Sequence, residues 1–178
     1  MILVGEIRDA ETAKTAVDAA LTGHLVLASI HSNDASSSFV RLLDMGIEPY
    51  MAATAVAGTL AQRLVRKVCG YCKEPAAVTE AEAFAYEAEM QEPATQLVAG
   101  KGCNFCGYPG FSGRTGVFEV LAVSQTTRRL VAAGSSGQAI REQALRDGMV
   151  PLRRAGMLKC KDGVTAASEV LRRVYFVD

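Results

Sequence analysis

Two short apolar runs dominate the first part of the chain. Residues 1–4 are continuously apolar, and Leu25–Ile30 form a second such run. Runs of this length without polar interruption are typical of buried strands in parallel sheets. Between them, apolar residues recur at helical spacing from Ala10 to Leu21, with Asp9 as a helix cap and Gly23 as a stop. The order strand, helix, strand predicts an α/β fold with a parallel sheet.

The pattern continues with further helices and two more strands. Asp34 is expected to cap the next helix, with Phe39, Leu42 and Leu43 facing inward. The remaining predictions are a helix from Pro49 to about Gly58, a strand at Leu60–Val68, a helix at Thr79–Met90, a strand at Arg114–Leu121, and helices near 124–133, 137–147, 151–160 and 165–175.

Composition excludes few functions, but the charge is unevenly distributed. The 19 basic and 19 acidic residues cancel, so overall charge does not indicate a nucleic-acid or membrane partner. Residues 74–100 contain six acids and no Lys or Arg, whereas residues 128–173 contain ten basic residues and four acids. Such segments are consistent with solvated helix faces, or with docking of the basic segment on an acidic partner or on anionic lipid heads.

Four cysteines form two CxxC pairs. Cys69 and Cys72 are separated by 30 residues from Cys103 and Cys106. Two such pairs can complete a tetrahedral thiolate site, for which zinc is the expected metal. The gap exceeds the usual 15–20 residues, but the extra loop-closure entropy costs only about 0.5 kcal/mol. Disulfides are the alternative for these cysteines, and the fifth, Cys160, reads as a buried small hydrophobe.

Polar residues at the carboxyl ends of the first two strands suggest a catalytic site. Ligands of parallel α/β sheets bind at this edge. Glu6 can orient or polarise an attacking water, and His31 can contact a phosphate or position a water. Arg8 can hold Glu6 or reach a neighbouring subunit. His24 precedes its strand, at the opposite edge of the sheet, and is the weaker candidate.

Five segments in order resemble the ATPases of type II secretion and type IV pilus assembly. Val4–Asp9 looks like the family's Walker B block, and the stretch from Thr22 to Asp34 looks like its His box. The others are Ala61–Cys69, which resembles the entry to a tetracysteine module, Gly107–Glu119, which resembles the exit from it, and Ala139–Arg141 with Gly148 and Met149, which resemble the C-terminal helical region.

The resemblance implies a partial RecA-like P-loop NTPase core with a tetracysteine zinc module and a helical C-terminal region. The implied ranges are 1–68 for the core half, 69–113 for the metal module, and 114–178 for a returning core strand and the helices. Glu6 would be the catalytic glutamate, and His31 would sense or contact the γ-phosphate. Arg8, His24, Arg63 and Arg66 are candidates for nucleotide binding or subunit contact, and Cys69, Cys72, Cys103 and Cys106 are the implied zinc ligands.

The family further implies a usually hexameric motor that hydrolyses ATP with Mg²⁺ on the cytoplasmic face of the inner membrane. Its partners would be inner-membrane platform and adaptor proteins, with no nucleic acid. The tetracysteine module favours the secretion or pilus-extension branch of the family.

One departure from the family pattern is the absence of GxxxxGK[ST] from the sequence. The backbone cradle and lysine that hold the phosphates of ATP are therefore missing. The resemblance thus predicts a C-terminal part that starts at the Walker B strand, needs an N-terminal half, and is inactive alone. The alternative is a zinc-ribbon module that binds a protein or nucleic acid, although the acidic segment between the CxxC pairs argues against nucleic acid.

Overall fold

The computed structural model describes residues 1–175, and this part of the chain divides into two compact units. Unit 1 comprises Met1–Ala61 and Glu119–Val150, and unit 2 comprises Gln62–Phe118 and the residues from Pro151 onward. The boundaries of these units differ from those of the three predicted ranges. The predicted ranges divide the chain by function and the units divide it by contacts, so the ranges remain a prediction.

Unit 1 begins with the predicted strand–helix–strand motif. Strand β1 (Ile2–Ile7) pairs in parallel with β2 (Val26–Ile30), and helix α1 (Ala10–Leu21) connects them. Asp9 caps α1 as predicted, because its carboxylate accepts a hydrogen bond from the Thr12 amide at 2.8 Å. The parallel pairing confirms the topology expected from the order of elements.

The prediction that both strands are buried is wrong. Leu3 and Leu27 are register partners and therefore lie on the same face of the sheet, where their side chains are 80% and 48% exposed. Leu25, just before β2, is also exposed. A continuous apolar run predicts that both faces of a strand are covered. No described element covers the face that carries Leu3 and Leu27, so these strands are less buried than the pattern predicts.

Four helices complete unit 1. They are α2 (Ser37–Asp44), α3 (Pro49–Ala55), α5 (Gln125–Ala132) and α6 (Gly137–Arg146). Phe39 is fully buried, as the pattern predicts. Helix α2 starts after Ser36 rather than at Asp34, but the Asp34 carboxylate still accepts a hydrogen bond from the Ser37 amide at 2.8 Å.

Two long strands pair with each other, and each contributes residues to both units. They are β3 (Gly58–Val68) and β6 (Phe111–Ala122), both predicted with shorter bounds. Their burial alternates along much of their length, which is the period of a half-buried strand.

Unit 2 contains a hairpin-like sheet that the sequence did not predict. Strands β4 (Lys73–Ala77) and β5 (Gln96–Gly100) pair antiparallel, and helix α4 (Glu80–Met90) lies between them in sequence. Both strands are only five residues long, and β4 contains Pro75, so neither has a clear alternating signature. Thr79 and Glu82 form a capping box at the start of α4.

The C-terminal helices of unit 2 follow the prediction less closely. Helix α7 (Leu152–Lys161) agrees with it, but the helix expected over 165–175 consists of a short α8 (Ala167–Val170) and a π-helical turn, Leu171–Tyr175. Within residues 1–175, no helix combines the length and hydrophobicity needed to cross a bilayer.

Candidate active site and metal centre

Glu6 and His31 lie together at the carboxyl ends of β1 and β2. His31 Nε2 is 2.7 Å from Glu6 Oε1. The parallel register pairs Ile7 with Ile30, which brings the residues beside them to one edge of the sheet. The register between β1 and β2 shifts between Val4 and Ile7, which is the part of β1 that contains Glu6. Such shifts are common next to functional sites.

Arg8 holds the other oxygen of the Glu6 carboxylate. Its Nε donates to Glu6 Oε2 at 2.6 Å, and its terminal nitrogen pairs with the same oxygen. The hydrogen bond from Arg8, with a smaller effect of His31, holds the pKa of Glu6 below its ordinary value. Glu6 is therefore ionised at neutral pH, which suits a group that orients a water rather than one that donates a proton.

His24 is placed away from this pair, at the beginning of β2. Its Nδ1 lies 3.3 Å from the Thr22 hydroxyl and 3.2 Å from the Ala19 carbonyl oxygen, at the end of α1. These contacts are those of a helix terminus, and a role of His24 in nucleotide binding or subunit contact remains a prediction.

The two arginines of β3 lie in unit 2. Arg63 Nη1 donates to the carbonyl of Gln62 at 3.0 Å. The Arg66 side chain donates to Glu169 Oε2 through Nε at 3.0 Å and Nη2 at 2.7 Å, and its guanidinium lies 4.0 Å from the centre of the Phe111 ring. All of these Arg66 contacts lie within unit 2. A role of Arg63 or Arg66 in nucleotide binding or subunit contact remains a prediction.

Replacing Glu169 by Gln should destabilise unit 2 by about 1–3 kcal/mol at neutral pH, because buried hydrogen bonds between charged groups are lost. Burial alone would raise the pKa of Glu169, but hydrogen bonds from Arg66 and Arg172 keep it below its ordinary value of 4.5. The ionic contribution is therefore complete above the unfolded pKa and disappears as the pH falls through the folded pKa.

Urea unfolding of both chains at a series of pH values measures this difference. It should shrink steadily on acidification. The control is Glu74→Gln, which removes a half-exposed partner of Lys101 and should cost no more than about 1 kcal/mol. A pH-independent difference for Glu169→Gln would contradict the ionic account.

The four paired cysteines converge in unit 2. Their sulfurs all lie within 4.8 Å of one another. Cys69 Sγ is 3.9 Å and Cys106 Sγ is 3.8 Å from Cys103 Sγ. A tetrahedral site with Zn–S bonds of ~2.3 Å has S–S edges of roughly 3.8 Å, so the donor set fits zinc. All five cysteines are free thiols, which does not support the disulfide alternative.

Close backbone contacts hold the two cysteine turns together. The Cys69 amide donates to the carbonyl of Gly110 at 2.9 Å. A Cβ added to Gly100 would lie 2.0 Å from the Gly110 carbonyl oxygen, and one added to Gly110 would lie 2.2 Å from that of Gly100. Only glycine fits at both positions, so the segments that carry the two cysteine turns can approach each other closely.

The local environments of the thiols differ. Burial raises the pKa of Cys72 to about 12. Burial acts in the same direction on Cys106, but hydrogen bonds from the backbone amides of Cys103, Gly110 and Tyr108 outweigh it and lower the pKa to about 6. Backbone amides directed at sulfur are the usual surroundings of thiolate ligands.

Glu119 and Arg141 contact the turn that follows His31, although they were not among the site residues predicted from the sequence. Glu119 is 1% exposed, and its Oε1 accepts a hydrogen bond from the Ala35 amide at 2.8 Å. Arg141 Nη1 lies 3.4 Å from Glu119 Oε2 and 3.7 Å from Asp34 Oδ2. The sequence did contain a signal for Glu119, which is an acid at an inward-facing position of an alternating strand. Buried acids are rare unless they are paired, so such an acid indicates a buried polar partner.

The fold is similar to that of two solved structures. The fold matches the ATPase DotB of Yersinia pseudotuberculosis with a TM-score of 0.62 at 20% identity, over 96% of this chain and 36% of that one. DotB of Legionella pneumophila gives a TM-score of 0.61 at 17% identity, over 94% and 37%.

The chain belongs to the type II/IV secretion system protein family, whose model matches residues 1–172. The type IV pilus assembly ATPase PilB of Thermus thermophilus is 46% identical over 97% of this chain and 20% of its own length. The type II secretion system protein E of Pseudomonas aeruginosa is 44% identical over 97% and 34%. The chain therefore spans a fifth to a third of these curated relatives.

Proposed function

We propose that the chain provides the water-facing part of an ATP-hydrolysing motor for type II secretion or type IV pilus assembly. The observation that carries this proposal is the Glu6–His31 pair, with 2.7 Å between Nε2 and Oε1, at the carboxyl edge of two parallel strands. In the proposed reaction, the ionised Glu6 orients the water that attacks the γ-phosphate of ATP, and His31 contacts that phosphate.

ATP and Mg²⁺ are the substrate and cofactor of the proposed motor. The 178 residues contain no GxxxxGK[ST], so the groups that cradle the phosphates must come from elsewhere in the functional protein. Arg8 binds the Glu6 carboxylate. This contact keeps the carboxylate ionised and limits its rotation. We propose that the chain alone does not hydrolyse ATP.

The tetracysteine site is proposed to hold one structural zinc ion through Cys69, Cys72, Cys103 and Cys106. The sulfur spacing and the converging cysteine turns support this assignment. Bound zinc would supply folding free energy and no step of the hydrolysis.

The proposed working form is a hexamer that acts at the cytoplasmic face of the inner membrane, together with platform and adaptor proteins of the secretion or pilus machine. Membership of the family supports this part of the proposal. No nucleic-acid partner is proposed, because residues 74–100, between the cysteine pairs, are acidic.

A segment exchange tests the proposed function. The 178 residues replace the matching segment of the Thermus thermophilus PilB relative, and phosphate release is measured for this chimera and for the 178-residue chain alone. We expect ATP hydrolysis by the chimera and none by the chain alone. Robust hydrolysis by the chain alone, or a folded and assembled chimera without hydrolysis, would overturn the proposal.

The exposed apolar face of β1 and β2 should make the isolated chain self-associate. Replacing Leu3 and Leu27 by Thr keeps β propensity but removes exposed apolar surface. We expect the double variant to show a weaker concentration dependence of its average mass in sedimentation experiments. Tyr50→Thr is the control, because Tyr50 is 64% exposed and belongs to α3 rather than to the sheet. A monomeric parent chain at all concentrations would refute this expectation.

A further inference from the structure

We propose that Glu119 is a positioning residue for the Glu6–His31 pair, and that it acts through the turn at residues 32–36. This inference rests on the proposed ATPase function. Glu119 holds the backbone that follows His31 and so determines the position of the imidazole.

The turn is fixed at its last residues from two sides. The Ala35 amide donates to Glu119 Oε1, and the Ala35 carbonyl accepts a hydrogen bond from the Thr59 hydroxyl, both at 2.8 Å. Ala35 itself is fully buried. One peptide residue is therefore held by a carboxylate from β6 and a hydroxyl from β3, so the path of the turn is fixed relative to these strands.

Asp34, the residue before Ala35, adds an ionic contact that also involves Glu119. Arg141, on α6, lies between the carboxylates of Glu119 and Asp34, at 3.4 and 3.7 Å. The Asp34 carboxylate also accepts hydrogen bonds from the Ser37 amide and the Ser36 hydroxyl, both at 2.8 Å. The turn thus enters α2 through a network that depends on charge at Glu119.

His31 needs such external support because little packs against it. Its side chain is 85% exposed, whereas that of Glu6 is 22% exposed. Apart from its contact with Glu6, the imidazole is positioned by the backbone, which is held by β2 on one side and by Ala35 on the other. Since catalysis depends strongly on sub-ångström placement, release of Ala35 should reduce turnover without removing any catalytic group.

The charge of Glu119 is not needed merely to fill the space that its side chain occupies. Burying a carboxylate is unfavourable unless its partners compensate, and an apolar residue of similar volume is often equally stable. The buried charge at residue 119 therefore contributes more to the placement of the turn than to the packing of the core.

Two variants separate placement from stability. Glu119→Gln keeps a carbonyl oxygen for the Ala35 amide but loses the charge that faces Arg141, whereas Glu119→Leu removes both contacts. In the 178-residue chain, we expect hydrogen exchange of the Ala35 amide to accelerate at least tenfold in Glu119→Leu and less in Glu119→Gln. Glu142→Gln, an exposed acid on α6, is the control and should change nothing.

The same variants in the PilB chimera give the functional readout. We expect kcat to fall about tenfold in Glu119→Leu with KM for ATP unchanged, and Glu119→Gln to recover part of the loss. If the parent chimera is active and its Glu119→Leu variant keeps full kcat, the positioning role is overturned but the proposed function is not. If Glu119→Leu does not fold, the comparison uses Glu119→Gln instead. The positioning role is then overturned if Glu119→Gln and the parent have the same kcat and the same exchange rate at the Ala35 amide. A folded, assembled parent chimera without hydrolysis overturns the proposed function instead.

Discussion

Replacing Cys103 by Ser should unfold the metal-binding part of unit 2 and remove the bound zinc. Structural zinc in small thiolate sites supplies on the order of 10–16 kcal/mol, which exceeds the total stability of a typical domain. A serine hydroxyl does not replace a thiolate as a zinc ligand at neutral pH. Hydrogen exchange should show lost protection mainly over residues 69–113, with protection retained in unit 1, and elemental analysis should fall from about one zinc per chain to none.

Cys160→Ser is the matched control for this loss. Cys160 is 1% exposed but lies outside the sulfur cluster, and burial raises the pKa of its thiol to about 12. This variant should keep its zinc and lose only about 1–3 kcal/mol for burying a hydroxyl. A parent protein that contains no metal, has four reactive thiols in the paired cysteines and keeps unit 2 folded would refute the zinc assignment.

Replacing Glu6 by Gln should abolish hydrolysis by the PilB chimera while ATP still binds. Gln has nearly the same shape, but it lacks the charge that orients and polarises water and that pairs with Arg8 and His31. Removing a group of this kind costs roughly 10²–10⁴-fold in rate. Steady-state phosphate release should therefore fall at least about 100-fold, with nucleotide affinity changed little.

Glu11→Gln is the control for the loss of a carboxylate. Glu11 is exposed in the first turn of α1 and should tolerate the change with full activity. Because Arg8 holds the pKa of Glu6 below its ordinary value, activity should persist to pH values below that value and then decline as the pH falls through the lowered pKa. A Glu6→Gln chimera with parental turnover would exclude Glu6 as the catalytic group.

The sequence predicted the elements whose signals are local. Asp9 and Gly23 delimit α1, and the apolar runs locate β1 and β2, because caps, stops and strands of this kind are encoded within a few residues. The pair Glu6 and His31 was also predictable, since parallel strands bring their carboxyl ends to one edge. The cysteine cluster followed from its two CxxC spacings.

Features that depend on distant partners were not predictable in this way. The exposure of Leu3 depends on which elements cover the sheet, and an apolar run gives no information about that. Glu119 is 84 residues from Ala35 in sequence, so its hydrogen bond to that amide has no local signature. Arg66 looked like a candidate for binding, and only the folded chain shows its contacts with Glu169 and Phe111.

The most direct test of the account is a single-turnover measurement on the PilB chimera. The protein is loaded with ATP, and the ADP formed in the first turnover is quantified for the parent and for Glu6→Gln. The account predicts that the parent converts its bound ATP and that Glu6→Gln retains ATP unhydrolysed at equal occupancy. Conversion by Glu6→Gln at the parental rate would contradict the assignment of the water-facing site to Glu6 and His31.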